Sequence, residues 1–270
     1  MFWKRLLSGI VLVILAIILV GLGGVPLLFA VALISLVGQF ELYRALSIDH
    51  KSIAAIGYTA TVIYYLLVLF EGRAYMTAMI VGTLMVFMTA YVATFPEYKT
   101  DEITAAFFGV CYVSVMMSYL YLTRSIADGT YLVWLIFLSS WGCDTLAYCS
   151  GMLFGRHKMT PKLSPKKTWE GAVGGVLGAS VLGYLFGSIF GAYMHEMQSA
   201  PVTCAFACGI GAMISMIGDL AASAIKRNHN IKDYGNIIPG HGGILDRFDS
   251  LLFTAPAIYY AIQFMNEFWR

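Results

Sequence analysis

Apolar residues along this 270-residue chain come in long runs, broken by short polar connections from one end to the other. A run of about 17–25 apolar residues is what a helix needs to cross a hydrocarbon layer roughly 30 Å thick. The pattern predicts nine spans, over 6–22, 25–43, 52–70, 74–95, 103–122, 130–154, 170–192, 201–222 and 250–268. The short alternating segments of a membrane barrel are missing. The expected fold class is therefore an all-α polytopic integral membrane protein. The opening MFWKRLLSGIVLVILAIILV has the charge-then-apolar order of a secretion signal. Its apolar run is too long for that role and no small-x-small cleavage site follows, so it reads as a retained first span.

Composition agrees with the pattern. The chain is 59% hydrophobic and 12% charged, with a mean hydropathy of +0.76, far above a soluble domain. The five cysteines (Cys111, Cys143, Cys149, Cys204 and Cys208) lie in or beside apolar runs, where they fit small packing residues better than disulfides. Cys204 and Cys208 share a helix face, but no histidine stands near to complete a zinc set.

Two connections are long and polar, GRHKMTPKLSPKKTWEG (155–171) and KRNHNIKDYGNIIPGHGGILDRFD (226–249). With nine spans, both fall on the side of the N-terminus. So do fourteen of the seventeen lysines and arginines, all but Arg73, Arg124 and Arg270. That bias places the two loops in the cytoplasm and the protein in the cell membrane. The first five spans (about 1–125) are nearly free of ionisable groups, whereas the polar chemistry sits in 140–250. The expected organisation is an N-terminal scaffold (1–125) and a C-terminal catalytic region (126–270). Glycines at 171, 174, 175, 178 and 183 form a stripe that permits close helix contact, within the chain or between copies in a homodimer.

An ionisable group inside a span costs roughly 2.5–3.5 kcal/mol on insertion scales. Asp144 lies deep in the sixth span, Asp219 near the end of the eighth, and Asp246 and Asp249 at the head of the ninth. Each could be an interhelical salt bridge or a cap. Asp219, Ser223 and Lys226 fall on one face of their helix, and Asp246 and Asp249 on one face of theirs. If the glycine-rich loop folds back, these faces can meet, and carboxylates gathered at one point call for a cation. Oxygen ligands without cysteine or histidine suit Mg²⁺ or a relative, which retains waters and takes substrate phosphates. Buried carboxylates, clustered bases and flexible glycines together suit phosphoryl or nucleotidyl transfer. The first loop adds five bases against one acid, Glu170, with Ser164 and Thr168 as hydroxyl donors. It could equally anchor the chain to anionic lipid heads, but Pro161 and Pro165 suggest a stiff loop of set shape. The glycines of PGHGG could cradle phosphate with backbone N–H groups.

The stretch SAIKRNHNIKDYGNIIPGHGGILDRFD (223–249) resembles the signature of the phosphatidate cytidylyltransferases, or CDP-diacylglycerol synthases. Ser223, Lys226, Arg227, Lys232, Asp233, Gly235, Pro239, His241, Gly242, Gly243, Asp246, Arg247 and Asp249 all fall in its register. A second block, DTLAYCSGMLFGRHKMTPKLSPKKTWEG (144–171), matches a further pattern of the same enzymes. The resemblance covers roughly the C-terminal half. It implies that CTP and phosphatidic acid from the bilayer react to give CDP-diacylglycerol and pyrophosphate, with no nucleic-acid partner.

Under that resemblance Asp219 and Asp246 are the first metal ligands and Asp249 and Asp144 the second, for Mg²⁺ with or without another cation. Lys226, Arg227, Lys232 and Arg247 hold the triphosphate and the lipid phosphate. Ser164, Lys166, Lys167 and Thr168 close over the nucleotide or bind the headgroup, Gly242 and Gly243 shape the cradle, and His241 contacts phosphate or shapes the turn. Two rivals differ in kind. A cation-coupled transporter would spread its acids through both halves and need no basic loops. A cytidylyltransferase for another lipid phosphate, such as an isoprenoid-ether lipid, would share the motifs.

Overall fold

The computed structural model describes residues 2–70, 72–238 and 242–269. The first helices in chain order are α1 (Phe2–Leu22), α2 (Gly24–Ala45), α3 (Ser52–Leu69), α4 (Met76–Ala93), α5 (Thr100–Gly109) and α6 (Met116–Arg124). The short α7 (Gly129–Leu132) and α8 (Trp134–Phe137) follow, then α9 (Cys143–Phe154), α10 (Trp169–Phe190), α11 (Ala200–Asn228) and α12 (Leu245–Phe268). π-helical turns at Val110–Val115 and Leu138–Gly142 join α5 to α6 and α8 to α9. Thr100–Arg124 and Gly129–Phe154 therefore each run as one rod.

Among the described residues seven helices are long and apolar enough to cross a membrane: α2, α3, α4, the two rods, α10 and α11. The apolar stretch of α1, Gly9–Leu22, is shorter, and Asp246, Arg247 and Asp249 dilute the head of α12. The chain is thus a polytopic helical membrane protein with seven spans that stand on length and composition alone.

The loop expected to be stiff is a β-hairpin. β1 (Lys158–Thr160) pairs antiparallel with β2 (Ser164–Thr168), setting Lys158 opposite Thr168 and Thr160 opposite Ser164.

The helices sort into two compact units, one of Met1–Ser118 with His229–Arg247, the other of Tyr119–Asn228 with Phe248–Arg270. The first unit carries a polar seam between apolar helices. Thr61 Oγ1 donates to Gln39 Oε1 at 2.7 Å, Gln39 Nε2 donates to Tyr43 Oη at 2.7 Å, and Tyr43 donates to the Ala106 carbonyl at 2.5 Å. An unsatisfied polar group in hydrocarbon costs several kcal/mol, roughly, and the seam leaves none of these groups without a partner. Outward faces such as Val62, Ile63, Met85 and Val86 are apolar and exposed, as lipid contact requires.

The second unit rests on the close approach of α9, α10 and α11. A Cβ at Gly175 would stand 2.9 Å from both Ala147 Cβ and Cys143 Sγ, and one at Gly183 would stand 2.8 Å from Cys208. Gly174 faces Ser150 and Gly178 faces Leu146. The glycine stripe is therefore used for contact within the chain. All five cysteines are free, three of them buried in this packing or beside it.

Gly175→Ala should destabilise the protein by about 1–3 kcal/mol, the usual cost of overpacking, and lower its melting temperature in detergent by several degrees. Gly82→Ala, with nothing within 4 Å of the added methyl, should leave the melting temperature unchanged. Equal melting of the two variants would contradict the packing account.

Candidate active site

The second unit holds a cavity of about 520 Å³ whose wall includes Asp144, Tyr148, Lys158, Lys166, Lys167 and Thr168. Three elements deliver its charged groups. Asp144 enters at the first turn of α9, immediately after the π-helical turn at Leu138–Gly142. Such turns shift the facing of the residues that follow, and they recur at functional sites. β2 delivers Lys166 and Lys167. Its last residue, Thr168, accepts the Gly171 N–H on its side chain at 3.2 Å and so caps α10, which fixes where the strand ends and the helix begins. Glu170 ties down the base of the hairpin. It accepts the Arg156 N–H at 3.1 Å, and its Oε1 stands 2.6 Å from His157 Nδ1.

The third element is α11. Asp219 Oδ2 lies 2.5 Å from Lys167 Nζ, and Asp144 is close enough to interact electrostatically with both Asp219 and Lys167. One carboxylate is thus paired with the Lys167 ammonium and a second lies within electrostatic reach of it, beside an open cavity. In water an ion pair of this kind contributes little. Where both groups are partly withdrawn from water, losing either partner would leave the other charge uncompensated.

One and two turns further along α11, Ser223 is half-buried and Lys226 Nζ stands 3.8 Å from Asp249 Oδ2. Asp249 also accepts the Ser250 N–H at 2.8 Å, and Ser250 Oγ meets Ser140 Oγ at 2.7 Å. Arg227 at the end of α11 is exposed. Ser164 lies in β2, opposite Thr160 of β1.

In the first unit the glycine-rich loop is organised around Asp246. Its Oδ2 accepts the Tyr234 N–H at 2.7 Å and the Gly243 N–H at 3.0 Å. Gly242 has φ +88°, and a Cβ there would meet that same oxygen at 3.0 Å. The Ile238 N–H donates to the Gly242 carbonyl at 2.9 Å, closing the turn. The N–H of Gly243 is turned to Asp246. Lys232 is exposed, and Arg247 is half-buried with its Nε lacking a hydrogen-bond partner among the described residues. His241 and Pro239 lie outside the described residues.

Glu41 was missed in the sequence. It sits inside α2 at 0% exposure and accepts the Ile244 N–H at 3.0 Å and the Leu245 N–H at 2.8 Å. Arg44, one turn on, donates from Nη2 to the Tyr234 carbonyl at 2.8 Å. The signal was present as the two ionisable residues of ELYR at the end of a predicted span. Among the described residues no three or more His, Cys, Asp or Glu side chains group as a ready-made metal cage.

A helical membrane protein with a cavity walled by Asp144 and three lysines is suited to phosphate chemistry at the bilayer. The chain belongs to the cytidylyltransferase family, whose model matches residues 3–265. It is 32% identical over 257 residues to the phosphatidate cytidylyltransferase of Staphylococcus epidermidis, across 94% of this chain and 96% of the relative. It is 28% identical over 274 residues to the enzyme of that name from Bacillus subtilis, across 97% and 98% of the two chains. With the Rickettsia bellii enzyme of the same name the identity is 38% over 154 residues, 56% of this chain and 66% of the relative.

Asp246→Ala should strand two buried N–H donors at about 1–3 kcal/mol each and speed amide exchange at Tyr234 and Gly243. Asp246→Asn keeps an acceptor oxygen and should leave that exchange near the wild-type rate. Unchanged exchange in the alanine variant would refute the role of Asp246 in holding the loop.

Proposed function

We propose that this protein transfers the cytidylyl group of CTP to phosphatidic acid, giving CDP-diacylglycerol and pyrophosphate for phospholipid synthesis. The observation that carries the reading is the Lys167–Asp219 pair beside Asp144 in a cavity that also presents Lys158 and Lys166. Its volume of about 520 Å³ lies within the roughly 300–1,000 Å³ of small-molecule sites. The wall is mixed, combining Lys158, Lys166 and Lys167 with Tyr148, Met152 and Met159. That suits one substrate drawn from water and one from the bilayer.

In the reaction a phosphate oxygen of the lipid attacks the α-phosphorus of CTP. The bond from that phosphorus to the oxygen bridging to the β-phosphate breaks, and pyrophosphate leaves with the electron pair. A phosphate monoester is already ionised near neutral pH, so no strong general base is needed. Positioning and charge neutralisation carry the rate. Lys158, Lys166 and Lys167 line the cavity as counter-charges to the triphosphate. Arg247, whose buried Nε has no hydrogen-bond partner among the described residues, is a donor suited to an anion. Lys226, Arg227 and Lys232 add positive charge along the motif.

Mg²⁺ fits the donors. Two carboxylates without sulfur or imidazole are what this ion takes when substrate phosphates and waters complete its shell, and Asp144 and Asp219 lie near enough to interact, with Lys167 paired to Asp219. Asp219 and Asp144 would hold it; the family resemblance also assigns Asp246 and Asp249 as ligands. When bound it would neutralise the phosphates and draw electron density from the α-phosphorus. We place the two polar loops in the cytoplasm, in a nine-span arrangement supported by the distribution of basic residues.

The test uses purified protein with labelled CTP, Mg²⁺ and phosphatidic acid, and looks for CDP-diacylglycerol and pyrophosphate. Product from another lipid phosphate but none from phosphatidic acid would select the nearer rival. Asp219→Asn and Asp246→Asn should each abolish product while the protein stays folded in detergent, and full activity in either would sink its metal role. Lys167→Met should cost about 100-fold or more in kcat, the scale of removing one charge-stabilising donor.

A further inference from the structure

Glu41 is the most deeply buried carboxylate among the described residues, at 0% exposure within a helix long and apolar enough to cross a membrane. A carboxylate there needs a reason, and the geometry supplies one. α12 begins at Leu245, so Ile244 stands at the position where a helix normally carries Ser, Thr, Asp or Asn to accept its first N–H groups. Isoleucine cannot accept them, and Gly242 and Gly243 before it cannot either. Glu41, from more than two hundred residues upstream, instead accepts the N–H groups of the cap position and of the first helical residue, with Oε1 on the Ile244 N–H and Oε2 on the Leu245 N–H. The positive end of the helix dipole in turn favours the buried negative charge.

The fit around that carboxylate is close. A Cβ at Gly243 would meet both oxygens of Glu41, and one at Gly235 would press on Oε1. Two glycines of the motif are thus needed for the loop to reach Glu41, in addition to any part they play towards phosphate. Arg44, on the same face of α2 one turn later, holds the loop at its other end through the Tyr234 carbonyl. Between those two anchors lie Asp246, bonded to Tyr234 and Gly243, and Arg247 directly behind it.

We infer that Glu41 is a positioning residue for the reaction, a remote cap that sets the head of α12 and so the placement of Asp246 and Arg247. A neutral apolar core would suffice if stability were the only requirement. The charge serves the geometry of the loop. This inference rests on the proposed roles of Asp246 and Arg247.

The experiment compares Glu41→Gln with Asp246→Asn in detergent-purified full-length protein. It measures kcat, KM for CTP and for phosphatidic acid, melting temperature, and amide exchange at 242–246. Glutamine keeps the size but offers one acceptor in place of two. A displacement of about 1 Å in a reacting geometry can cost on the order of 100-fold. The expected result is a kcat lowered about 10- to 100-fold with both KM values nearly unchanged. Melting should shift little, and exchange at Ile244 and Leu245 should quicken. Should Glu41→Gln fail to fold, Gly235→Ala presses on the same carboxylate from the loop and should show the same split. Wild-type kcat in the folded variant, or a loss confined to melting temperature, overturns the inference. If Asp246→Asn stays fully active while Glu41→Gln loses kcat, the assignment of Asp246 fails and the remote cap stands. If Asp246→Asn is inactive while Glu41→Gln is fully active, the cap fails and the site reading stands.

Discussion

A carboxylate beside hydrocarbon must be met by a donor, and the whole polar chemistry of this protein is arranged under that constraint. Asp219 is met by Lys167 at 2.5 Å, Asp249 by Lys226 and by the Ser250 N–H, Asp246 by two loop N–H groups, and Glu41 by the first N–H groups of α12. Two are met by lysines and two by pairs of backbone N–H groups, and each fixes an element. The first ties the β-hairpin to α11, the second α11 to α12, and the last two tie the motif loop to itself and to α2. Charges that would be costly in isolation become the joints of the structure.

The same constraint shapes the apolar packing. Lys167 can reach Asp219 only because β2 ends at a defined point, where Thr168 caps α10, and because α10 lies close against α9. That closeness is set by Gly171, Gly174, Gly175 and Gly178, which leave no room for side chains. Asp144 depends in turn on the π-helical turn before α9. A cavity suited to phosphate is thus held by helix contacts that contain no charge at all.

Much of this was legible in the chain. The long apolar runs predicted the helices within a few residues, because a span must be both long and greasy and few other structures are. Asp144, Asp219 and Asp246 stood out because acids are rare in such runs, and the spacing of Asp219, Ser223 and Lys226 follows from helix periodicity alone. The two prolines of the first loop announced a set shape, which is the hairpin. Glu41 and Arg44 were passed over although the same cost argument applied to them. They lay in a half of the chain treated as scaffold, and no local pattern links ELYR to a loop about two hundred residues away.

By itself the sequence determined that the protein is membrane-embedded and helical, which residues are polar enough to do chemistry, and which family signature they spell. Those properties follow from composition and from spacing along one helix, both of which are local. Tertiary structure decided which charges are partners. It gave Lys167 to Asp219, turned the Gly243 N–H towards Asp246, spent the glycine stripe within the chain, and brought a cap for α12 from α2. Each of these depends on side chains far apart in the chain arriving within about 3 Å of one another, and only the folding of the helices against each other sets that distance.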